Sequence, residues 1–408
     1  MNKNIIIGIN LGDFGSTGNI MRSTLEFANK KGPFDYLIIV PKSAGKKNTY
    51  AYKESNTFLD KIDRWIIHKS IGNPDGFFEH RATKRIIKKI KTTSKSYDHI
   101  IIHLHNIHMA SIDLRILFKF LAKFKPIDKI FYTIHDCWPF TGGCYCYNFV
   151  GCHNWIYGCK CSCIQKYGTN KLNVSKMWSL KKKYTLLLKN KATLIAVSDW
   201  ILNELRASFL KEFDIVRIYG GTKIKRLNFV DTKLKINLGI SNQNVILTIS
   251  SYWNDWKGQK YIYLLAEKLP INYIIIVVGG SFKTFDYKNI IHVKDVSHDV
   301  LSHYFSIADV YLSTSQNESL GLTTCEAQIC GVPVVAFGHT AIKETFNSKT
   351  GFCVGEENNI EKMLNAIELI VEKKPFDVAE IIKNGEKFDI DNCSKEYLNL
   401  YNKVIFKN

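Results

Sequence analysis

At 408 residues, 46% of them apolar and 12% aromatic, the chain is too long for one ordinary hydrophobic core and suits two domains of about 200 residues each. No run approaches the ~18 apolar residues of a membrane span, and the polar-flanked start around Asn4–Ile9 is too short for a signal peptide. A cytoplasmic protein is therefore expected. The charge is one-sided: residues 1–200 hold 32 Lys and Arg against 13 Asp and Glu, and residues 201–408 hold 24 against 24. The whole excess of +19 thus sits in the first half, and a single-signed domain steers anions. Its candidate partners are an anionic membrane surface with a lipid-diphosphate acceptor, or nucleic acid.

The first half alternates strand and helix. Ile5–Asn10 predicts a strand, Gly12–Asn19 a glycine-rich turn, and Ile20–Lys30 a helix. Tyr36–Val40 follows as a strand and Ala82–Lys91 as a lysine-rich helix. Asp98–Asn106 reads as a buried strand ending in polar residues, before a helix over Asp113–Phe124. Lys129–His135, Thr193–Val197 and Val216–Tyr219 complete the series. Tyr219-Gly220-Gly221-Thr222 is a break between domains. Strands then recur at Asn244–Ile249, Tyr273–Val278, Asp309–Ser313 and Val334–Phe337, with helices over Asn358–Lys373 and Val378–Lys387 and about Ser394–Val404. Strands alternating with helices imply parallel sheets built from βαβ units, which bind ligands at the C-terminal ends of their strands.

Several motifs fall at such strand ends. Gly15-Ser16-Thr17-Gly18 follows the first strand, and its glycines let the backbone approach a phosphate at a helix N-terminus. The spacing Gly12-x-x-Gly15-x-x-Gly18 is neither the dinucleotide fingerprint nor a Walker loop, so neither NAD nor ATP is favoured. His103-Leu-His105-Asn106-Ile-His108 closes another strand, with His103 and His105 on one face. Lys257-Gly258 follows the Asn244 strand. Glu318-Ser319-Leu320-Gly321-Leu322 leads into a helix carrying Glu326, and Gly331-Val332-Pro333 stops it. The first-turn amides of that helix favour a phosphate, with a carboxylate on either side for hydroxyls. A nucleotide-sugar, with hexose, diphosphate and ribose in a row, has that layout. Seven of the eleven cysteines fall between Cys137 and Cys163, among His135, His153, Trp138 and Trp155. Disulfides are not expected in a reducing cytosol. The alternatives are free thiols in a packed loop, a redox role, or a structural zinc on Cys144, Cys152, Cys159 and Cys163.

The segments Asn317–Gly321 with Glu326-Ala327 and Gly331–Val335 resemble the signature of retaining glycosyltransferases of family 4. Thr133–Gly142 is similar to a subgroup that assembles polysaccharides, related to the enzymes of colanic acid synthesis. The resemblance implies an α/β protein of GT-B architecture, with two Rossmann-like parallel-sheet domains facing a cleft. Residues 1–218 would be the acceptor-side domain, with a Cys-rich loop at 137–163. Residues 219–390 would bind the nucleotide-sugar, and the helix in 391–408 would pack back on the first domain. It implies a hexosyltransferase needing no cofactor for catalysis, with a UDP- or GDP-sugar donor and a lipid-diphosphate-linked oligosaccharide acceptor, at the inner face of the plasma membrane. Glu318 and His105 (His103 as runner-up) would contact the reacting sugar and Glu326 the ribose. Lys257, Gly15–Gly18 and Ser319–Leu322 would contact the diphosphate region. The arginine that the family offers shortly before its lysine is missing from Ser250–Asp255, where Tyr252 and Trp253 stand. A GT-B-fold epimerase is the second enzymatic reading. A nucleic-acid-binding protein is the remote one, and it leaves the Glu318–Glu326 stretch without a purpose.

Overall fold

The computed structural model describes residues 3–53, 79–108, 112–160, 174–283, 287–294 and 296–406. The chain forms two compact units, one running up to Tyr219 and taking in the chain from Cys393 onward, the other Gly220–Asn392.

The first unit contains β1 (Asn4–Ile9), α1 (Gly15–Lys31), β2 (Phe34–Val40), β3 (Thr49–Ala51), α2 (His80–Ser94), β4 (His99–Leu104), α3 (Leu114–Lys123), β5 (Ile127–Ile134), α4 (Val174–Thr185), β6 (Ala192–Ala196), α5 (Asp199–Ala207) and β7 (Asp214–Arg217). Its strands are parallel, in the order β3-β2-β1-β4-β5-β6-β7. The second unit contains α6 (Thr232–Asn237), β8 (Asn244–Tyr252), α7 (Gln259–Lys268), β9 (Tyr273–Gly280), β10 (Ile290–Val293), α8 (Leu301–Ser306), β11 (Val310–Ser313), α9 (Leu322–Ile329), β12 (Val334–Ala336), β13 (Gly351–Cys353), α10 (Ile360–Lys373) and α11 (Val378–Gly385). These strands are parallel too, in the order β10-β9-β8-β11-β12-β13. The last helix, α12 (Ile390–Ile405), belongs to the first unit from Cys393 on.

A parallel strand covered on both faces must be apolar throughout. In β1, Ile5, Ile7 and Ile9 enter one core while Ile6 enters another on the opposite face. In β9, Tyr273, Ile275 and Val277 separate from Ile274, Ile276 and Val278 in the same way. The second face of the first sheet is covered by Met21, Leu25 and Ala28 of α1 together with Tyr397, Leu398 and Tyr401 of α12. Side chains close several helix starts, each such cap being worth about 1 kcal/mol. Asp113 accepts from Arg115 N and Ile116 N, Ser198 from Ile201 N, and Asn359 from Lys362 N.

The strands predicted from sequence are present with ends moved by a few residues. The first helix differs more. It begins at Gly15 and not near Ile20, so Ser16, Thr17 and Gly18 form its first turn. Gly15 takes a left-handed φ of +69° at this start. A Cβ on Gly18 would lie 2.8 Å from Gly12 O, so the turn closes on a backbone approach that only glycine permits.

Candidate active site

In both sheets the strand order reverses once, between β1 and β4 in the first and between β8 and β11 in the second. Such switch points open a crevice at the C-terminal strand ends, the usual ligand position of doubly wound sheets.

In the second unit, β8 leads to Lys257 and β11 to Glu318. Asn254 caps the intervening turn by accepting from Lys257 N, and the Thr314 hydroxyl donates to Lys257 O at 2.8 Å. Gly258 continues in the left-handed region (φ +73°), where a Cβ would fall 2.1 Å from Thr314 O. Lysine and glutamate are thus held side by side, and Lys257 Nζ donates to Glu318 Oε1. Both side chains keep some exposure, 25% and 20%. The backbone of Glu318 is clamped by Thr340, whose hydroxyl accepts from Glu318 N (2.9 Å) and donates to Glu318 O (2.8 Å). Thr340 itself carries a positive φ of 50°, an uncommon conformation for a β-branched residue. Ser319 and buried Leu320 connect this clamp to Gly321, which adopts φ +94° and opens α9 with the amides of Leu322 and its neighbours. Glu326 lies inside α9 and is 4% exposed. Its Oε1 accepts from the Thr222 hydroxyl at 2.8 Å and lies 2.9 Å from His298 Nε2. The hydrogen bond to this carboxylate raises the His298 pKa above that of a free imidazole, although partial burial opposes it. Of the pair standing where the resemblance expects an arginine, Trp253 is buried and donates from Nε1 to Val278 O, while Tyr252 is 58% exposed.

In the first unit, β1 leads to the Gly15–Gly18 turn and β4 to the histidines. Asn10 ties the two strand ends together, donating from Nδ2 to Gly12 O (2.7 Å) and accepting from Asn106 N (3.0 Å). Asp13 is fully buried beside this turn and accepts from Ser43 Oγ and Ala44 N, with Arg22 Nη2 at 3.4 Å. His105 is 1% exposed; its Nδ1 lies 2.9 Å from His135 Nε2, and its Nε2 has no hydrogen-bond partner among the described residues. His103 is used differently, between Tyr401 Oη (2.6 Å) and Thr133 Oγ1 (2.8 Å). Burial lowers all three imidazoles, His103 to about 3, His135 to about 4 against the pull of Asp136, and His105 well below its ordinary value. They are neutral at physiological pH.

In the cysteine-rich segment, Cys144, Cys146 and Cys159 are buried and Cys152 partly so. Cys159 Sγ accepts from Gly142 N, and burial pushes its thiol up to about 11. Buried Lys181 organises this segment, donating from Nζ to Trp138 O and Thr141 O and lying 3.4 Å from the centre of the Trp138 ring. Cys163 lies outside the described residues. Among those described, no group of three His, Cys, Asp or Glu side chains is placed to hold a metal ion.

The structure therefore joins Lys257 with Glu318, and it adds two residues that no local motif announces. Thr222 stands in a Gly-rich segment whose pattern marks only a domain boundary. His298 lies in a turn without any pattern. Both reach Glu326 only through the fold.

The Glycosyl transferases group 1 family matches residues 230–388. Among curated proteins, the putative colanic acid biosynthesis glycosyl transferase WcaC of Escherichia coli K12 is 21% identical over 76% of this chain and 78% of its own length. An uncharacterized glycosyltransferase of Haemophilus influenzae is 27% identical over 34% of this chain and 42% of its own length. An uncharacterized 41.2 kDa protein in the cps region of Klebsiella pneumoniae is 23% identical over 63% of this chain and 66% of its own. The match thus spans less than two thirds of the Haemophilus and Klebsiella proteins. Among solved structures, sucrose-phosphate synthase of Thermosynechococcus elongatus superposes with a TM-score of 0.69 at 15% identity, covering 100% of both chains. Anabaena Alr3699/HepE in complex with UDP and glucose gives 0.63 at 16% identity, covering 98% of this chain and 100% of its own. The chain therefore has the GT-B fold, and its residues 230–388 match the glycosyl transferases group 1 family.

Proposed function

We propose that the chain transfers a hexose, with retention of configuration, from a UDP- or GDP-sugar to a growing lipid-diphosphate-linked cell-surface polysaccharide. The observation that carries the donor site is the Lys257–Glu318 pair at the β8/β11 switch point, beside the start of α9. The ammonium of Lys257 and the amides at Gly321–Leu322 neutralise charge building on the departing diphosphate, an effect larger in the transition state than in the ground state. Glu318 accepts from donor sugar hydroxyls and faces the positive charge developing at the anomeric carbon. Glu326 accepts from the ribose. His105, neutral, offers its Nε2 to the reacting sugar, and the Gly15–Gly18 turn serves the diphosphate or the acceptor. The acceptor hydroxyl attacks from the face that the diphosphate leaves. The colanic acid and cps-region relatives support a polysaccharide acceptor, and a neighbour in fold solved in complex with UDP and glucose supports a nucleotide-sugar donor.

The test is thermal unfolding with UDP, GDP and ADP. One nucleotide at a hundred times its Kd stabilises the native state by about 2.7 kcal/mol, a rise of a few degrees in Tm, and the effect is lost in Glu326→Gln. No shift with any of the three would overturn the donor site.

The basic first half supports a membrane-borne acceptor. Lys84, Lys88, Lys91 and Lys95 recur every three or four residues along α2 and its end, all exposed, so they form one cationic stripe. Vesicles containing phosphatidylglycerol are expected to bind the protein at low salt, each lysine contributing about 1 kcal/mol. Replacing all four by glutamate should abolish sedimentation with these vesicles. Equal binding of the variant, or equal binding to neutral vesicles, would exclude the stripe. Among the described residues, no helix is long and apolar enough to cross a membrane.

A further inference from the structure

A buried carboxylate keeps its charge only when its oxygens find partners. Glu326 satisfies this on one side alone. Oε1 is engaged twice, by Thr222 Oγ1 and His298 Nε2, which themselves lie 3.4 Å apart. Oε2 is buried and has no hydrogen-bond partner among the described residues. Fixing Oε1 from two directions also fixes where Oε2 points, and an open buried acceptor calls for a donor from a ligand. His298 is not sealed in: its side chain is 38% exposed. Its turn, His298–Val300, precedes α8, and Glu326 is offered from α9.

We propose that His298 is a positioning residue for nucleotide binding: with Thr222 it holds Glu326 so that Oε2 accepts from a ribose hydroxyl, and its positive charge offsets the carboxylate that would otherwise repel the donor diphosphate. This rests on the donor-site reading above. The charged and titratable groups around it, among the described residues, are Glu326 from α9, Asp299 in its own turn and Lys223 beside Thr222. Glu326 is faced in turn by Tyr311 of β11 and by the Cys330 thiol, with Arg226 beyond. The imidazolium persists to higher pH than a free histidine because its hydrogen bond to Glu326 favours the charged form. Above that range the neutral ring still donates from Nε2 in the right tautomer but brings no charge. Nucleotide affinity therefore falls as pH rises through the His298 titration.

Calorimetric titration of the full chain with UDP, GDP and ADP between pH 6 and 9 tests this on wild type, His298→Gln, His298→Ala and Glu326→Gln. In wild type, the nucleotide that binds best should lose about 3- to 10-fold in affinity over this range relative to His298→Gln, which keeps a donor without a charge. His298→Ala should bind about 10-fold more weakly at pH 6. At saturating donor, kcat should stay near wild type in both, since the effect is on binding. The Tm of each unliganded variant controls for folding. If both His298 variants keep the wild-type affinity and the wild-type pH slope while Glu326→Gln weakens binding, the His298 role is wrong and the donor site stands. If no nucleotide binds wild type at any pH, or Glu326→Gln binds unchanged, the donor-site assignment itself fails, and the His298 role with it.

Discussion

Lys257→Ala is expected to lower sugar transfer by about 10²- to 10³-fold, the loss typical of removing one preorganised charge from a transition state. The preorganisation is visible in the backbone. Asn254 caps the turn, the Thr314 hydroxyl holds Lys257 O, and Gly258 closes against Thr314 in a conformation that a side chain would block. In the proposed transfer, an ammonium placed by such a frame needs little reordering as the diphosphate departs. The substitution also strips Glu318 of its ion pair and, in the proposed site, would leave its carboxylate facing an anionic donor. Lys257→Arg should not restore full rate, because a planar guanidinium does not replace a compact ammonium at a fixed distance. Glu318→Ala should fall by a similar factor, with the backbone clamp from Thr340 left in place because it uses only Glu318 N and O. Nucleotide release is the measurement, with the sugar donor carrying the base that gives the largest thermal shift. Near-wild-type rates in folded Lys257→Ala and Glu318→Ala would refute the assignment.

The second large effect is on stability. His103, His105 and His135 are buried as neutral rings, with pKa values pulled below that of an unfolded histidine. Below about pH 6.5 the unfolded chain takes up protons that the folded one refuses, so stability falls with acidification. The slope reaches about 1.4 kcal/mol per pH unit for each such histidine. The loss begins near the unfolded pKa and continues toward about 4 for His135 and about 3 for His103. His298 acts in the opposite sense: its contribution is complete below the unfolded pKa and is lost as pH rises through its raised folded value. It therefore adds no slope on the acid side. Urea unfolding of the protein should show a clear fall in free energy from pH 6.5 to 5, above the range where most carboxylates titrate. A flat profile across that interval would contradict the neutral cluster. His103→Gln should reduce the slope, since one refused proton is removed.

The apolar runs made the strands legible. Asn4–Ile9 and Tyr273–Val278 are apolar almost without break, which is what a strand covered on both faces requires. Gly321 and Gly331, which read as the start and the stop of a helix, both take positive φ at the ends of α9. What escaped was short or weakly patterned. β3, β10 and β13 are three or four residues long, with few fully buried positions, so periodicity had little to act on. Gly15 and Gly18 look like a loop in the sequence, which sets the expected start of α1 near Ile20 and not at Gly15. Here they allow the first turn to close against Gly12 and Asp13.

The residues themselves determined the parallel α/β class, the helix after Gly321 and the positions of Lys257 and Glu318, since each follows from a local pattern of apolarity, glycine and charge. Only tertiary structure decided what these groups touch. Lys257 and Glu318 pair across 61 positions and Thr222 reaches Glu326 across 104, while His103 is held by Tyr401 across 298. Such contacts depend on strand order and on the return of the last helix, which no window of sequence contains. The same holds for the histidines. His103, His105 and His108 look alike in the sequence, yet the fold binds His103 on both ring nitrogens and, among the described residues, gives His105 Nε2 no partner. Local chemistry chose the groups, and burial with long-range pairing assigned their charge and direction.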